Sequence, residues 1–166
     1  MKNNQKDHEL QYVEGAKALL FDRLVNLPET KLGYIPKKFF NRKELKESVR
    51  IELGYLLNSR CSYPERFLAD DEELTVIDYG IPDLSHYSPQ DPDHQKLIAD
   101  IIEKAIVTFE PRLQNVKVYV QEFIFIKWAL LIGIEADLVI GSFVEPVAFP
   151  LVFNNKLGAA EIYGNQ

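Results

Sequence analysis

A chain of 166 residues with 46% hydrophobic side chains is long enough for one domain with its own core and too short for two comfortable ones. Its 19 basic and 25 acidic residues leave a net charge of −6, which argues against generic adhesion to nucleic acid or to anionic lipid. The one cysteine, Cys61, allows no internal disulfide and points to a reduced, cytoplasmic setting, and the opening MKNNQKDHEL has no apolar run of the signal-peptide kind.

The charge is uneven: the first fifty residues hold 11 basic and 7 acidic side chains, the remainder 8 and 18. Within that basic portion, Leu20, Leu24 and Leu27 stand at helical spacing ahead of Pro28, so a first helix is expected over residues 10 to 27. Residues 28 to 43 have two prolines, a glycine and no sustained period, and read as an arm. The arm mixes Lys37, Lys38, Arg42 and Lys43 with Tyr34, Phe39 and Phe40. Such a set can stack on single-stranded nucleic acid, or its aromatics can pin the arm to the body.

Asn41 followed by Glu44 has the form of a capping box, and Leu45, Val49, Leu53, Leu56 and Leu57 then draw one apolar stripe, a second helix ending near Ser59. Ile51 and Tyr55, four apart, make a smaller apolar surface off that stripe. Residues 61 to 90 are irregular, with a solvated acidic run at 69 to 74 and a turn-rich loop at 78 to 85. Asp91 as N-cap and Pro92 at the first helical position open a third helix. Its buried face is Leu97, Ile98, Ile101, Ile102, Ala105, Ile106 and Phe109.

Beyond Arg112 the period changes from 3.6 to 2. Val116, Val118 and Val120 alternate with polar neighbours; Trp128, Leu130, Ile132, Ile134, Ala136, Leu138 and Ile140 share one face of a longer strand; Val147, Phe149, Leu151 and Phe153 point inward from a third. Residues 154 to 158 form a turn, with a short strand at 159 to 163. Pro146 and Pro150 put two missing N–H donors on the same edge of the third strand. The expected fold is α+β, a small, largely antiparallel sheet of three to four strands with about three helices packed on one face. The longest apolar stretch, Phe123 to Ile134, is broken by Lys127 and is shorter than the roughly 20 residues needed to cross a bilayer. His8, His86 and His94 do not stand at metal-ligand spacing, so no metal and no cofactor is expected.

The chemistry concentrates at Glu110, Pro111 and Arg112, between the third helix and the first long strand. A residue before proline leaves the helical region, so the helix should stop at about Phe109 and an extended segment should point Glu110 and Arg112 to the same side. A catalytic reading makes Glu110 a general acid with a second carboxylate nearby, and Glu122, Glu135 and Asp137 are nominal partners. An adjacent guanidinium works against an acid that must hold its proton. The pair is otherwise an internal tie between helix and sheet, or two oriented charges offered to another protein.

FEPRL (109 to 113) resembles the Glu-Pro-Arg signature of the baseplate wedge family typified by TssE of bacterial type VI secretion systems. This gp25-like family, often labelled lysozyme-like, is related to a tailed-phage baseplate protein. LLFDRL (19 to 24), ESVRIELGYLLNSR (47 to 60), LTVIDYGIPDLS (74 to 85), and IEADLVI (134 to 140) before EPVAFPLVF follow in matching order. The helix and basic, aromatic arm read above make a first unit over 1 to 43, the arm itself carrying no part of the family pattern, and the resemblance implies a gp25-like α+β core domain over 44 to 166. It also implies a structural subunit with no catalytic residue. Glu110, Pro111 and Arg112 would bind the baseplate proteins TssF and TssG, with TssK and VgrG as further candidates, and the sheet would help start the sheath of TssB and TssC subunits. That places it in the cytoplasm, on a baseplate docked at the inner membrane complex, without nucleic acid and without entering the membrane. The alternative is a peptidoglycan hydrolase with Glu110 as acid.

Overall fold

The computed structural model describes residues 12–17, 39–68, 73–140, 143–154 and 156–163. In chain order they form β1 (Tyr12–Lys17), β2 (Phe39–Asn41), α1 (Arg42–Asn58), α2 (Pro64–Leu68), α3 (Pro92–Phe109), β3 (Leu113–Ile124), β4 (Ala129–Ile140), β5 (Phe143–Asn154) and β6 (Ala159–Ile162). Strands β3 to β6 make a four-stranded antiparallel meander in sequence order, and β1 pairs with β2 in a separate antiparallel ribbon. Among the described residues there are three helices, so the α+β class holds.

Two helices start on strong local signals. The Asn41 side chain accepts from the Glu44 N–H at 2.9 Å and the Glu44 carboxylate accepts from the Asn41 N–H at 3.0 Å, closing the capping box that opens α1. At α3, Asp91 accepts from the Asp93 N–H at 2.9 Å and Pro92 takes the position whose N–H has no helical partner anyway. The apolar stripes these helices carry merge with the inward residues of the sheet into one core, to which each fully buried Leu or Ile adds about 1.5–3 kcal/mol. The β4–β5 register stacks that core in rows: Leu130 faces Phe153, Ile132 faces Leu151, Ile134 faces Phe149 and Ala136 faces Val147.

Three expectations need correction. Tyr12 to Lys17, assigned above to a first helix, is strand β1, antiparallel to Phe39–Asn41. Tyr12 and Val13 favour strand, Gly15 disfavours helix, and the leucine period begins only after this segment. The rest of that helix, the arm up to residue 38 and the acidic run at 69 to 72 lie outside the described residues. Within the segment read as irregular, Pro64–Leu68 forms the short helix α2. Trp128 does not join the inward face of β4; it occupies a left-handed turn position (φ 50°) ahead of the strand.

The two prolines of β5 fit without breaking the sheet. Pro150 stands opposite Gly133 and Pro146 opposite Asp137, and the Pro150 carbonyl accepts from the Tyr163 N–H at 2.9 Å on the side away from β4. Residues four apart share that orientation, so both missing donors fall outside the β4–β5 ladder. Helix side chains cover other outward groups. Asn58 of α1 accepts from the Ala160 N–H (3.0 Å) and donates to the Ala160 carbonyl (2.9 Å), Arg50 donates to the Ile162 carbonyl (3.2 Å), and Glu103 of α3 accepts from the Val118 N–H (3.0 Å). Backbone satisfied in this way is a poor template for a stray strand. No helix among the described residues is long and apolar enough to cross a membrane.

Candidate functional site

Helix α3 ends at Phe109, as the following proline requires, and the Glu110 N–H makes the last helical bond to the Ile106 carbonyl at 2.9 Å. The chain then turns instead of extending: the Leu113 N–H bonds back to the Glu110 carbonyl at 3.0 Å, with Pro111 in the second turn position that its fixed φ suits. The Arg112 carbonyl accepts from the Val139 N–H at 2.8 Å, which fastens the turn to the end of β4.

Inside this turn the charges close on each other. Arg112 Nε donates to Glu110 Oε1 at 2.7 Å and Nη2 to Oε2 at 2.5 Å, a two-point pairing that matches the planar fork of guanidinium to carboxylate. The Arg112 backbone N–H adds a third contact at 3.3 Å, and Nη1 reaches Ser48 Oγ of α1 at 3.2 Å. Glu110 is only 4% exposed, Arg112 is partly buried and Pro111 faces solvent. The pair therefore ties α3, β3 and α1 together, and what it leaves at the surface is the proline ring and the pocket beside it.

That pocket, about 230 Å³, lies between the α1 residues Glu52 and Leu56, the rings of Tyr79 and Phe109, and the Glu110–Arg112 turn. Tyr79 and Phe109 meet edge to face at 5.4 Å. Burial pushes the Tyr79 phenol above its ordinary range, and the negative charges of Glu52 and Glu110 push it further. Glu52 was not among the candidate residues. It stands four before Leu56 on one flank of α1, but nothing in that spacing reveals that the flank faces a turn some sixty residues later.

The nominal acid partners do not line this pocket. Glu135 and Asp137 line a separate trough on the outer face of the sheet, where they accept from Tyr119 Oη (2.7 Å) and Asn115 Nδ2 (2.8 Å), and Glu122 is an exposed residue of β3. A general acid must present a proton to its substrate, whereas both Glu110 oxygens are occupied by donors of Arg112.

The loop that supplies Tyr79 holds a second charge pair. Asp78 is completely buried; its Oδ2 accepts from the Thr75 N–H at 2.8 Å, the Thr75 hydroxyl at 3.0 Å and Arg66 Nη1 at 2.7 Å. The Thr75 amide, with help from its hydroxyl and from Arg66, outweighs burial and holds the carboxyl below its ordinary range. A carboxyl depressed in the folded state stabilises the fold above its unfolded pKa, about 3.9, and that contribution disappears as pH falls through the folded value. Urea midpoints measured from pH 6 down to pH 2 should therefore drop less steeply for Asp78→Asn than for the unaltered chain. Parallel curves would mean that Asp78 is not a source of the acid sensitivity.

A family model described as baseplate wedge protein gp25 matches residues 43–140, more than half of the chain and all of the Glu110–Arg112 turn. No curated protein sequence matches the chain. Among solved structures, a chain described as belonging to the baseplate complex from the type VI secretion system is similar with a TM-score of 0.48 and 13% identity, covering 74% of this chain and 97% of that one.

Proposed function

The chain belongs to the baseplate wedge protein gp25 family, and from that premise we propose that it is a structural wedge subunit of a type VI secretion baseplate, without catalytic activity. The ordered motif stretches that resemble TssE favour this machine over a phage tail. In this reading TssF and TssG seat on the surface around Glu110, Pro111 and Arg112, TssK and VgrG are neighbours within the same baseplate, and the sheet helps to seat the first TssB and TssC subunits of the sheath. The work is done in the cytoplasm, where the baseplate docks on its membrane complex.

The observation that carries the proposal is the closed Glu110–Arg112 pair beside an open pocket and an exposed proline. A turn held by bonds from three elements loses little conformational freedom on binding, so its surface is pre-organised for a rigid partner. The pair contributes by holding Pro111 and the pocket walls in place.

Pro111→Glu tests this without disturbing either member of the pair. Replacing an exposed turn proline should cost at most about 1 kcal/mol of stability. A charge placed at the centre of an apolar contact should weaken co-purification with TssF and TssG by about tenfold or more. Undiminished recovery of the complex, with the variant folded, would exclude this face as the wedge contact.

A further inference from the structure

The opposite end of β3 carries a surface that the wedge contact does not use. Between β3 and β4 the chain makes a tight turn over Phe125–Lys127, with Phe125 69% and Ile126 96% exposed. In the neighbouring turn between β5 and β6, Leu157 is 77% exposed. The two turns are joined: Asn154 Nδ2 donates to the Lys127 carbonyl at 3.3 Å, and Lys156 Nζ stands over the Trp128 ring, 5.1 Å from its centroid. Single exposed apolar side chains are ordinary, but three grouped on two linked turns are a mark of a contact surface.

The apolar tip is also built to keep its shape. Phe123, Phe125 and Trp128 pack edge to face around one another with centroids 5.5 to 6.2 Å apart, and Trp128 holds a left-handed backbone position (φ 50°). Lys127 and Lys156 flank the tip, and among the described residues neither is paired with a carboxylate. Beyond Leu157 the surface continues into an open trough of about 400 Å³ whose lining includes Arg60, Cys61, Pro64, Lys156 and one carboxylate, Asp83, close enough to Arg60 to feel its charge. Arg60 anchors this side by donating to the Gly158 carbonyl. The result is an apolar knob flanked by two lysines, with the Arg60 charge farther along partly offset by Asp83, on a chain whose net charge is −6.

We infer that the paired turns at Phe125–Trp128 and Lys156–Gly158 form a second docking surface, which seats in an apolar groove bordered by carboxylates on a neighbouring protein. Charge decides the occupant. A second copy meeting the same surface through a two-fold axis would bring Lys127 and Lys156 against their own equivalents. An anionic membrane would attract two lysines but repel the chain's overall negative charge. A groove with local carboxylates acts within a screening length of about 8 Å, where the knob's own charges dominate. The twelve residues of β3 at about 3.3 Å each put the knob up to roughly 40 Å from Arg112. The chain can therefore hold one protein at each end of its sheet.

The test places a photo-crosslinking phenylalanine derivative at position 126 of the full chain, in cells assembling the baseplate, with a control at exposed Glu161. The attachment point is mapped by mass spectrometry, and recovery of TssF and TssG is measured in parallel. Expected is an adduct from position 126, absent from the control, on one partner protein among apolar residues flanked by Asp or Glu. Its yield should fall about tenfold when Lys127→Glu and Lys156→Glu are combined, with TssF and TssG still recovered. No adduct above the control, adducts only to a second copy or to lipid, attachment at an acid-poor site, or a yield indifferent to the charge reversal would each overturn the inference. None of these results bears on the wedge contact, which Pro111→Glu tests separately.

Discussion

Glu110→Ala should lower the unfolding free energy by about 3 kcal/mol, the lower end of what is lost when one member of a buried ion pair is removed. Both side chains of the pair are mostly shielded from water, 6% exposed for Glu110 and 14% for Arg112, so solvent screens the interaction little. The alanine variant keeps the Arg112 charge in place with its bond to Ser48 and removes the acceptor for three of its donors. In a chain of this size the melting temperature should fall by roughly 6–12 °C, and in urea the midpoint should drop with an unchanged slope. Replacing both members, Glu110→Leu with Arg112→Met, should cost within about 1 kcal/mol of nothing, because no unpaired charge is left behind. A double variant as unstable as the single one would show that the loss comes from the turn itself. The comparison also bears on assembly: a double variant that folds but fails to recover TssF and TssG would separate holding the turn from presenting charge.

The sheet was legible because its strands alternate cleanly. Leu130 to Leu138 and Val147 to Phe153 carry a period of two that a buried face imposes and a helix cannot satisfy. Helix α3 was legible from its end, since Asp91 and Pro92 satisfy the orphan donors locally. The break after Phe109 followed from a single steric rule about the residue before proline. What could not be read depends on partners distant in the chain. Strand β1 exists by pairing with Phe39–Asn41, and its own six-residue sequence is ambiguous between helix and strand. Ser48 meets Arg112 across 64 positions, and Asn58 covers Ala160 across 102. Ile81 and Leu84 are fully buried within a segment with no periodicity at all, because turn-rich backbone rather than a repeating face delivers them to the core. The site was half legible for the same reason. The motif is contiguous, but the Glu52 side of its pocket comes from a helix that only the fold brings there.

Gly80→Ala should be the most costly small substitution in the loop, at about 3 kcal/mol. Gly80 adopts φ +114°, outside the conformations an L side chain tolerates, and such positions cost about 1–3 kcal/mol when forced. An added Cβ would stand 2.6 Å from the Ser59 carbonyl oxygen and 2.8 Å from its carbon. These are backbone atoms and cannot swing aside. That same Ser59 oxygen accepts from the Ile81 N–H at 3.0 Å, and the Ile81 carbonyl accepts from the Cys61 N–H at 3.1 Å. Moving Ser59 to make room therefore breaks the clip that holds the loop to the end of α1, at a further cost of about 1 kcal/mol. Gly54 supplies the control. It lies inside α1 with nothing within 4 Å of an added Cβ, so Gly54→Ala should stabilise by about 0.5–1 kcal/mol. Thermal unfolding of the two variants should move in opposite directions, and a Gly80→Ala midpoint within about 2 °C of the parent would refute the clip. Tyr79 adjoins this glycine and forms a wall of the pocket beside Glu110. If the proposed wedge contact uses this pocket, a loosened loop should also lower recovery of TssF and TssG by the folded fraction of Gly80→Ala.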